Sequence, residues 1–267
     1  MVPALLFLTI GAATALAAAA AMVAFCLAAS SVYLLNDTAD RDQDRLHPTK
    51  RNRPIASGLV RPAEAIAASA LLASAAVVIG WMLSPTVAVV IAAYVVLTGA
   101  YSLRLKHIAY VDVAVLASGF VLRVVAGAVA VHASAPPLLL VAVFAGAAFL
   151  ALGKRRAELA LLGGDAATHR RALSGYRAAT LEAVIGCTEY ATVLAFALWV
   201  LVATGSQLGL GLGMLSAASL AYTLRTQRQS VRTGGGGNPT RDLFSNLSLL
   251  PGLVVTALVA LSTGVIR

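Results

Sequence analysis

Apolar stretches of about 20 residues recur from one end of this chain to the other, each long enough to cross a hydrocarbon layer roughly 30 Å thick. A chain surrounded by lipid must satisfy its backbone N–H and C=O groups internally, so runs of this kind are read as helices. Only 12% of the residues are charged, against about 25% in an ordinary soluble domain, and 60% are hydrophobic. The sequence therefore describes an all-α membrane protein, a single polytopic domain over residues 1–267. Abundant Ala and Gly suit helices that pack closely through small residues.

Residues 1–35 read as one long helix or as two short ones broken near Gly11. Further spans are expected over 63–83, 86–103, 110–132, 136–153, 180–204, 207–224 and 243–265. Pro85, Pro136 and Pro137 stand at span starts, where a missing N–H costs least. The first residues are apolar but lack the basic segment of a cleavable signal.

Eighteen of the 20 Lys and Arg fall in alternate connections, over 36–62, 104–109, 154–179 and 225–242; the exceptions are Arg123 and Arg267. By the positive-inside rule these four connections are cytoplasmic and the C-terminus is outside. Nine helices with a cytoplasmic N-terminus satisfy the arrangement, as do eight with an external one. The net charge of +9 is thus a signature of topology, and no nucleic-acid partner is expected. Cys26 and Cys187 lie in apolar runs and are expected to be small buried hydrophobes. His47 and His107 sit beside basic residues, without metal-ligand spacing. No Walker pattern or GxSxG elbow is present, and Gly234–Gly237 reads as a flexible connection.

Four of the eleven acidic residues fall between Asp37 and Asp44, at the end of an apolar run. If the helix continues through them, Asp37, Asp40 and Asp44 share one face at i, i+3 and i+7. Carboxylates stacked in this way repel unless a cation joins them, and hard oxygens suit Mg²⁺, which bridges to substrate phosphates. Lys50, Arg51 and Arg53 follow, with Arg suited to bidentate phosphate contact. Elsewhere such a cluster is a solvated mixed-charge loop; at the end of a membrane helix the metal is the better reading.

The pattern NDxxDxxxD over residues 36–44, followed by HPxKxxRPIASG over 47–58, resembles the first aspartate-rich motif of the UbiA superfamily of intramembrane prenyltransferases. Its extended form is most similar to the decaprenyl-phosphate phosphoribosyltransferase branch, which acts in actinobacterial cell-wall arabinan precursor synthesis. The resemblance implies a bundle of about nine transmembrane helices with a polar active-site cap facing the cytoplasm of a bacterial inner membrane. Family members usually carry a cytosolic amphipathic stretch before the first span, and nothing like it precedes Leu5.

Members that use a prenyl diphosphate and an aromatic or other small acceptor carry a second Asp-rich motif after the sixth span. Here that region reads Gly153-Lys154-Arg155-Arg156-Ala157-Glu158-Leu159, with only Asp165 nearby. The departure argues against that alternative. The string GKRxAEL is similar to the phosphoribosyltransferase branch, whose donor, phosphoribosyl diphosphate, carries an extra phosphate in need of cations. Lys154 and Glu158 share a helical face at i, i+4. Lys154 or Arg155 is expected to hold phosphate and Glu158 to orient the base or meet a ribose hydroxyl; the charges alone would equally mark a stop-transfer cluster.

Arg123, within a span, is expensive there and expected to face a cavity or a partner. Asp112 lies eleven residues earlier on nearly the same face, and an acid on a neighbouring helix is the structural alternative. Tyr176, in Ala172-Leu173-Ser174-Gly175-Tyr176, is a further candidate for phosphate or ribose. Glu182 and Glu189 share a face, Glu189 being placed to pair with Arg123. The resemblance thus implies Mg²⁺ on Asp37, Asp40 and Asp44, which carry the catalysis, with Asn36, Lys50, Arg53, Arg123, Lys154, Arg155, Glu158 and Tyr176 binding the substrates. Those substrates are phosphoribosyl diphosphate and a polyprenyl phosphate, and a homo-oligomer is an open possibility. A transporter would also use several spans with intramembrane Arg and Glu; it would not require dense acidic and basic clusters at one membrane surface.

Overall fold

The computed structural model describes residues 12–162, 171–203 and 207–232. Seven long helices account for most of them: α1 (Ala12–Ala39), α2 (Pro62–Leu83), α3 (Pro85–Leu103), α4 (Val111–Ala130), α5 (Pro137–Leu162), α6 (Ala178–Ala203) and α7 (Gln207–Arg232). The first six are long and apolar enough to cross a membrane. The expected spans at the N-terminal edge and over 243–265, with Gly234–Gly237 and Asp165, lie outside the described residues.

Proline and short polar side chains set several helix starts. Pro62 and Pro85 each open a helix. The Glu64 carboxylate accepts the Arg61 N–H at 3.1 Å, and the Ser84 hydroxyl accepts the Val87 N–H at 3.1 Å. Both bonds satisfy groups that a helix terminus leaves without intrahelical partners.

The described residues fall into two units. In the first, made of 12–106 with 122–134, α1, α2 and α3 pack mutually. Its core joins Ala24, Phe25 and Ala28 of α1 to Ala76 of α2, Ile91 and Tyr94 of α3, and Ala126 of α4. Small residues bring the backbones close, and Ser69 donates from α2 to the Ser31 carbonyl of α1 at 2.8 Å, a buried polar tie between spans. A Cβ on Gly80 would meet Ile91 Cδ1 at 2.8 Å and the Ala88 Cα at 3.1 Å, so a side chain here would crowd the α2–α3 hairpin.

The second unit, made of 107–121 with the described residues after 134, packs α5 against α6 and α6 against α7. Phe149 and Leu152 of α5, Leu173 and Tyr176 of the following segment, and Leu181 and Ile185 of α6 form its core with Val113 and Ala117 of α4.

In three connections expected to be loops, the described residues are largely helical. Across 36–62, α1 runs to Ala39, and short helices Arg41–Leu46 and Pro54–Ser57 follow. Residues 154–162 extend α5 and residues 225–232 extend α7. Charge marks the side of a membrane to which a segment belongs, and a helix need not stop where the lipid does.

Candidate functional site

The acid cluster lies where the first span runs on. Although regular helix is interrupted at Asp40, the ladder crosses the break: the Asp40 N–H donates to the Asn36 carbonyl at 2.9 Å and the Asp44 N–H to the Asp40 carbonyl at 2.8 Å. The i, i+3, i+7 face is therefore preserved. Asp44 is buried, Asp37 and Asp40 are partly exposed, and Asp42, off that face, has an 89% exposed side chain.

Three cations meet the face. One guanidinium nitrogen of Arg53 donates to Asp37 Oδ1 at 2.8 Å and to Asp44 Oδ2 at 2.7 Å. Lys50 Nζ stands 3.9 Å from Asp44 Oδ1. Lys106 donates to Asp40 and, at 3.3 Å, to the Asn36 side-chain carbonyl, while Asn36 donates to Asp40 Oδ2 at 3.2 Å. Lys106 was expected only as a topological charge. Its sequence signal is a lone Lys in a short connection, and its partner is 66 residues away.

The turn that presents Arg53 is built by its own sequence. Arg45 Nε donates to the Ala56 carbonyl at 2.9 Å, and Pro54 opens the short helix that Gly58 ends at φ +87°. That left-handed conformation costs glycine little and other residues more. His47 Nδ1 accepts the Thr49 and Lys50 N–H groups at 3.2 and 3.3 Å, a turn-forming role.

The donor set suits a hard divalent cation: two carboxylate oxygens close on one positively charged nitrogen, the arrangement a metal would take over from Arg53. Asp40 faces Lys106 instead, and no group of three His, Cys, Asp or Glu side chains converges as a metal cage among the described residues.

Arg123 belongs to the same unit, with its NH2 donating to the Tyr94 hydroxyl at 2.7 Å and its guanidinium 5.1 Å from the Tyr94 ring centroid. The aromatic partner gives an intramembrane charge both a hydrogen bond and a cation–π contact.

The second unit holds a different constellation. Asp112 is fully buried and accepts Arg155 Nε at 2.8 Å and the Tyr176 hydroxyl, to which the Tyr110 N–H donates at 2.9 Å. Arg155 also donates to Glu158 Oε2 at 3.0 Å. Burial, then the bond to Asp112, pushes the Tyr176 phenol well above the ordinary tyrosine range. Gly175 lies so near Ala109 that a Cβ there would stand 2.7 Å from the Ala109 Cβ. Arg155, expected to hold phosphate, is thus 3% exposed and engaged with two carboxylates, and the Tyr176 hydroxyl is occupied by Asp112 and Tyr110. Lys154 is exposed and makes no ion pair with a described residue.

Glu189, expected opposite Arg123, pairs instead with Arg228 at 2.9 Å and Arg225 at 3.8 Å. Helical periodicity places a residue on a face without saying which neighbour meets it.

The UbiA prenyltransferase family model matches residues 1–250. The chain is 42% identical over 179 residues to the decaprenyl-phosphate phosphoribosyltransferase of Mycolicibacterium smegmatis, covering 67% of this chain and 56% of that one. It is 35% identical over 216 residues to the protein of that name from Mycobacterium tuberculosis H37Rv, covering 81% and 70% respectively. The chain thus spans about half the length of the first relative and more of the second. A solved UbiA homologue from Archaeoglobus fulgidus, bound to DMAPP and Mg²⁺, matches with a TM-score of 0.72 at 17% identity, over 94% of this chain and 87% of that one. Six apolar helices and this fold together make the molecule a multi-pass membrane protein.

Proposed function

The chain belongs to the UbiA prenyltransferase family, and from that premise we propose that it transfers the 5-phosphoribosyl group of phosphoribosyl diphosphate to a polyprenyl phosphate of decaprenyl type. The observation that carries this reading is the acid face whose Asp37 and Asp44 close on one Arg53 nitrogen, followed in the chain by a basic second motif where an acidic one would serve prenyl diphosphate. The names of the relatives agree with it.

In the proposed reaction a phosphate oxygen of the lipid attacks C1 of the ribose. The bond from C1 to the diphosphate oxygen breaks, diphosphate leaves with the electron pair, and C1 inverts. The nucleophile is already anionic, so no strong general base is required, and positioning with charge stabilisation carries the rate. Asp37, Asp40 and Asp44 are the proposed Mg²⁺ ligands, and the ion would neutralise the leaving diphosphate. Arg53 would then be released from the carboxylates to contact phosphate, with Lys50 beside it and Asn36 fixing Asp40. Lys154 is the proposed donor-phosphate contact of the second motif, and Glu158 meets a ribose hydroxyl. For Arg155 and Tyr176 we propose a supporting role, holding that motif through Asp112. Arg123 contacts the lipid phosphate or the donor. The active site is proposed to face the cytoplasm of a bacterial inner membrane, where the product would serve cell-wall arabinan synthesis.

The test is to incubate purified protein with Mg²⁺, labelled phosphoribosyl diphosphate and a polyprenyl phosphate, and to follow label into the lipid phase. Label that appears and is lost with EDTA or Asp37→Ala supports the reading. Product formed only from a prenyl diphosphate and an aromatic acceptor overturns it.

A further inference from the structure

At the charged end of the α6–α7 pair, within the second unit, lies a groove of about 380 Å³ lined by Glu189, Tyr190, Arg225, Arg228, Gln229 and Arg232. Its arginines repeat at i, i+3 and i+7 on α7, opposite Glu182 and Glu189 at i, i+7 on α6. Arg232 meets Glu182 at 3.0 Å, Arg228 meets Glu189 at 2.9 Å, and Arg156 of α5 stands 3.3 Å from Glu182. Four guanidinium groups therefore meet two carboxylates, leaving an excess of positive charge.

The ion pairs leave donors in hand. Arg225 and Arg232 have side chains 70% and 54% exposed. Among the described residues, Arg228 Nε is buried with no hydrogen-bond partner. In the small cavity that shares Arg228 with the groove, the Gln227 amide nitrogen likewise has no partner among them, on a residue 3% exposed. Buried donors normally find acceptors, because an unmade bond costs more than a made one gains. Gly186 makes the arrangement possible: a Cβ there would stand 3.0 Å from the Arg228 guanidinium.

We propose that this groove binds the phosphomonoester head of a membrane lipid, whose chain lies along the exposed apolar flank of the same two helices. Leu194, Leu215 and Tyr222 supply that flank, exposed by 56% or more. A phosphomonoester carries about −1.5 to −2 charges near neutrality, which matches the excess charge better than the single negative charge of a phosphodiester. Its oxygens accept from several guanidinium groups together. Identifying this lipid with the polyprenyl phosphate acceptor rests on the function proposed above; the charge and shape of the groove do not.

The test uses the full chain in nanodiscs with a photoactivatable short-chain polyprenyl phosphate. Labelled peptides are mapped in wild type, Arg225→Gln, the Arg225→Gln/Arg232→Gln pair and Asp37→Ala, and folding is verified by melting. Labelling of 182–190 and 225–232 is expected to need about tenfold more probe in the single variant, the loss of one charge-assisted bond, and more in the double. It should persist in Asp37→Ala, be displaced by phosphatidic acid, and resist phosphatidylglycerol and inorganic phosphate. Labelling unchanged in a folded Arg225→Gln protein overturns the site. Equal displacement by phosphatidylglycerol overturns the monoester class, and equal displacement by inorganic phosphate overturns the lipid. Loss in Asp37→Ala would place the lipid at the acid face instead. Failure of turnover in wild type, with labelling intact, counts against the proposed function alone.

Discussion

Asp37 and Asp112 are both carboxylates held by an arginine, and they are built for opposite ends. Asp37 shares Arg53 with Asp44 in a partly open turn, where the side chains of Arg53 and Asp37 are 36% and 29% exposed. Asp112 is sealed from solvent, with Arg155 on one oxygen and Tyr176 on the other. A partly solvated ion pair contributes little stability, so it can be given up to a ligand. A buried pair is costly to break from one side, because the remaining charge keeps its desolvation penalty. Burial thus separates the carboxylate proposed to bind a ligand from one that holds the fold, where residue type does not.

The sharpest test of this contrast removes each carboxylate. Asp37→Ala is expected to lower turnover by about 10²–10³-fold or more with little change in melting temperature. Asp112→Ala is expected to destabilise the fold by about 3–5 kcal/mol, seen in thermal unfolding before activity is considered. Equal melting shifts for the two variants would abolish the distinction.

Alkaline titration sharpens the buried side. The folded Tyr176 phenol titrates above the ordinary value near 10, so the folded state holds its proton where the unfolded chain has lost it. Its contribution is fully present below about pH 10 and is lost as pH rises through the folded value. Tyr176→Phe should flatten that part of the stability–pH curve; an unchanged slope would remove the phenol from the network. A smaller effect is expected on the open side. Gly58→Ala meets no atom within 4 Å, so its cost is confined to a left-handed backbone, about 1–2 kcal/mol, and shows as a modest loss in melting.

These expectations also show what the sequence made legible. Asp37, Asp40 and Asp44 could be placed on one face because helical spacing is local, and the exposure of Asp42 agrees. Helix existence was equally plain, since span after span is dictated by apolar length. The partners were not. Arg53 was identifiable as a nearby cation, but its bridging of two carboxylates depends on the turn through Gly58. Lys106 reaches Asp40 from the connection after α3, 66 residues on, and Asp112 meets Arg155, 43 residues away. Such pairings are set by helix packing, which no single-segment periodicity encodes.

The backbone hydrogen bonds that carry the chain from α1 through Asp40 to Asp44 have one more consequence. A 28-residue helix is about 42 Å long at the standard rise, well beyond the roughly 30 Å of a bilayer interior. It must therefore either project or tilt, and the carboxylates travel with its end. The height of the acid face above the headgroups is thereby coupled to the thickness of the host membrane, making lipid chain length an adjustable setting of the site.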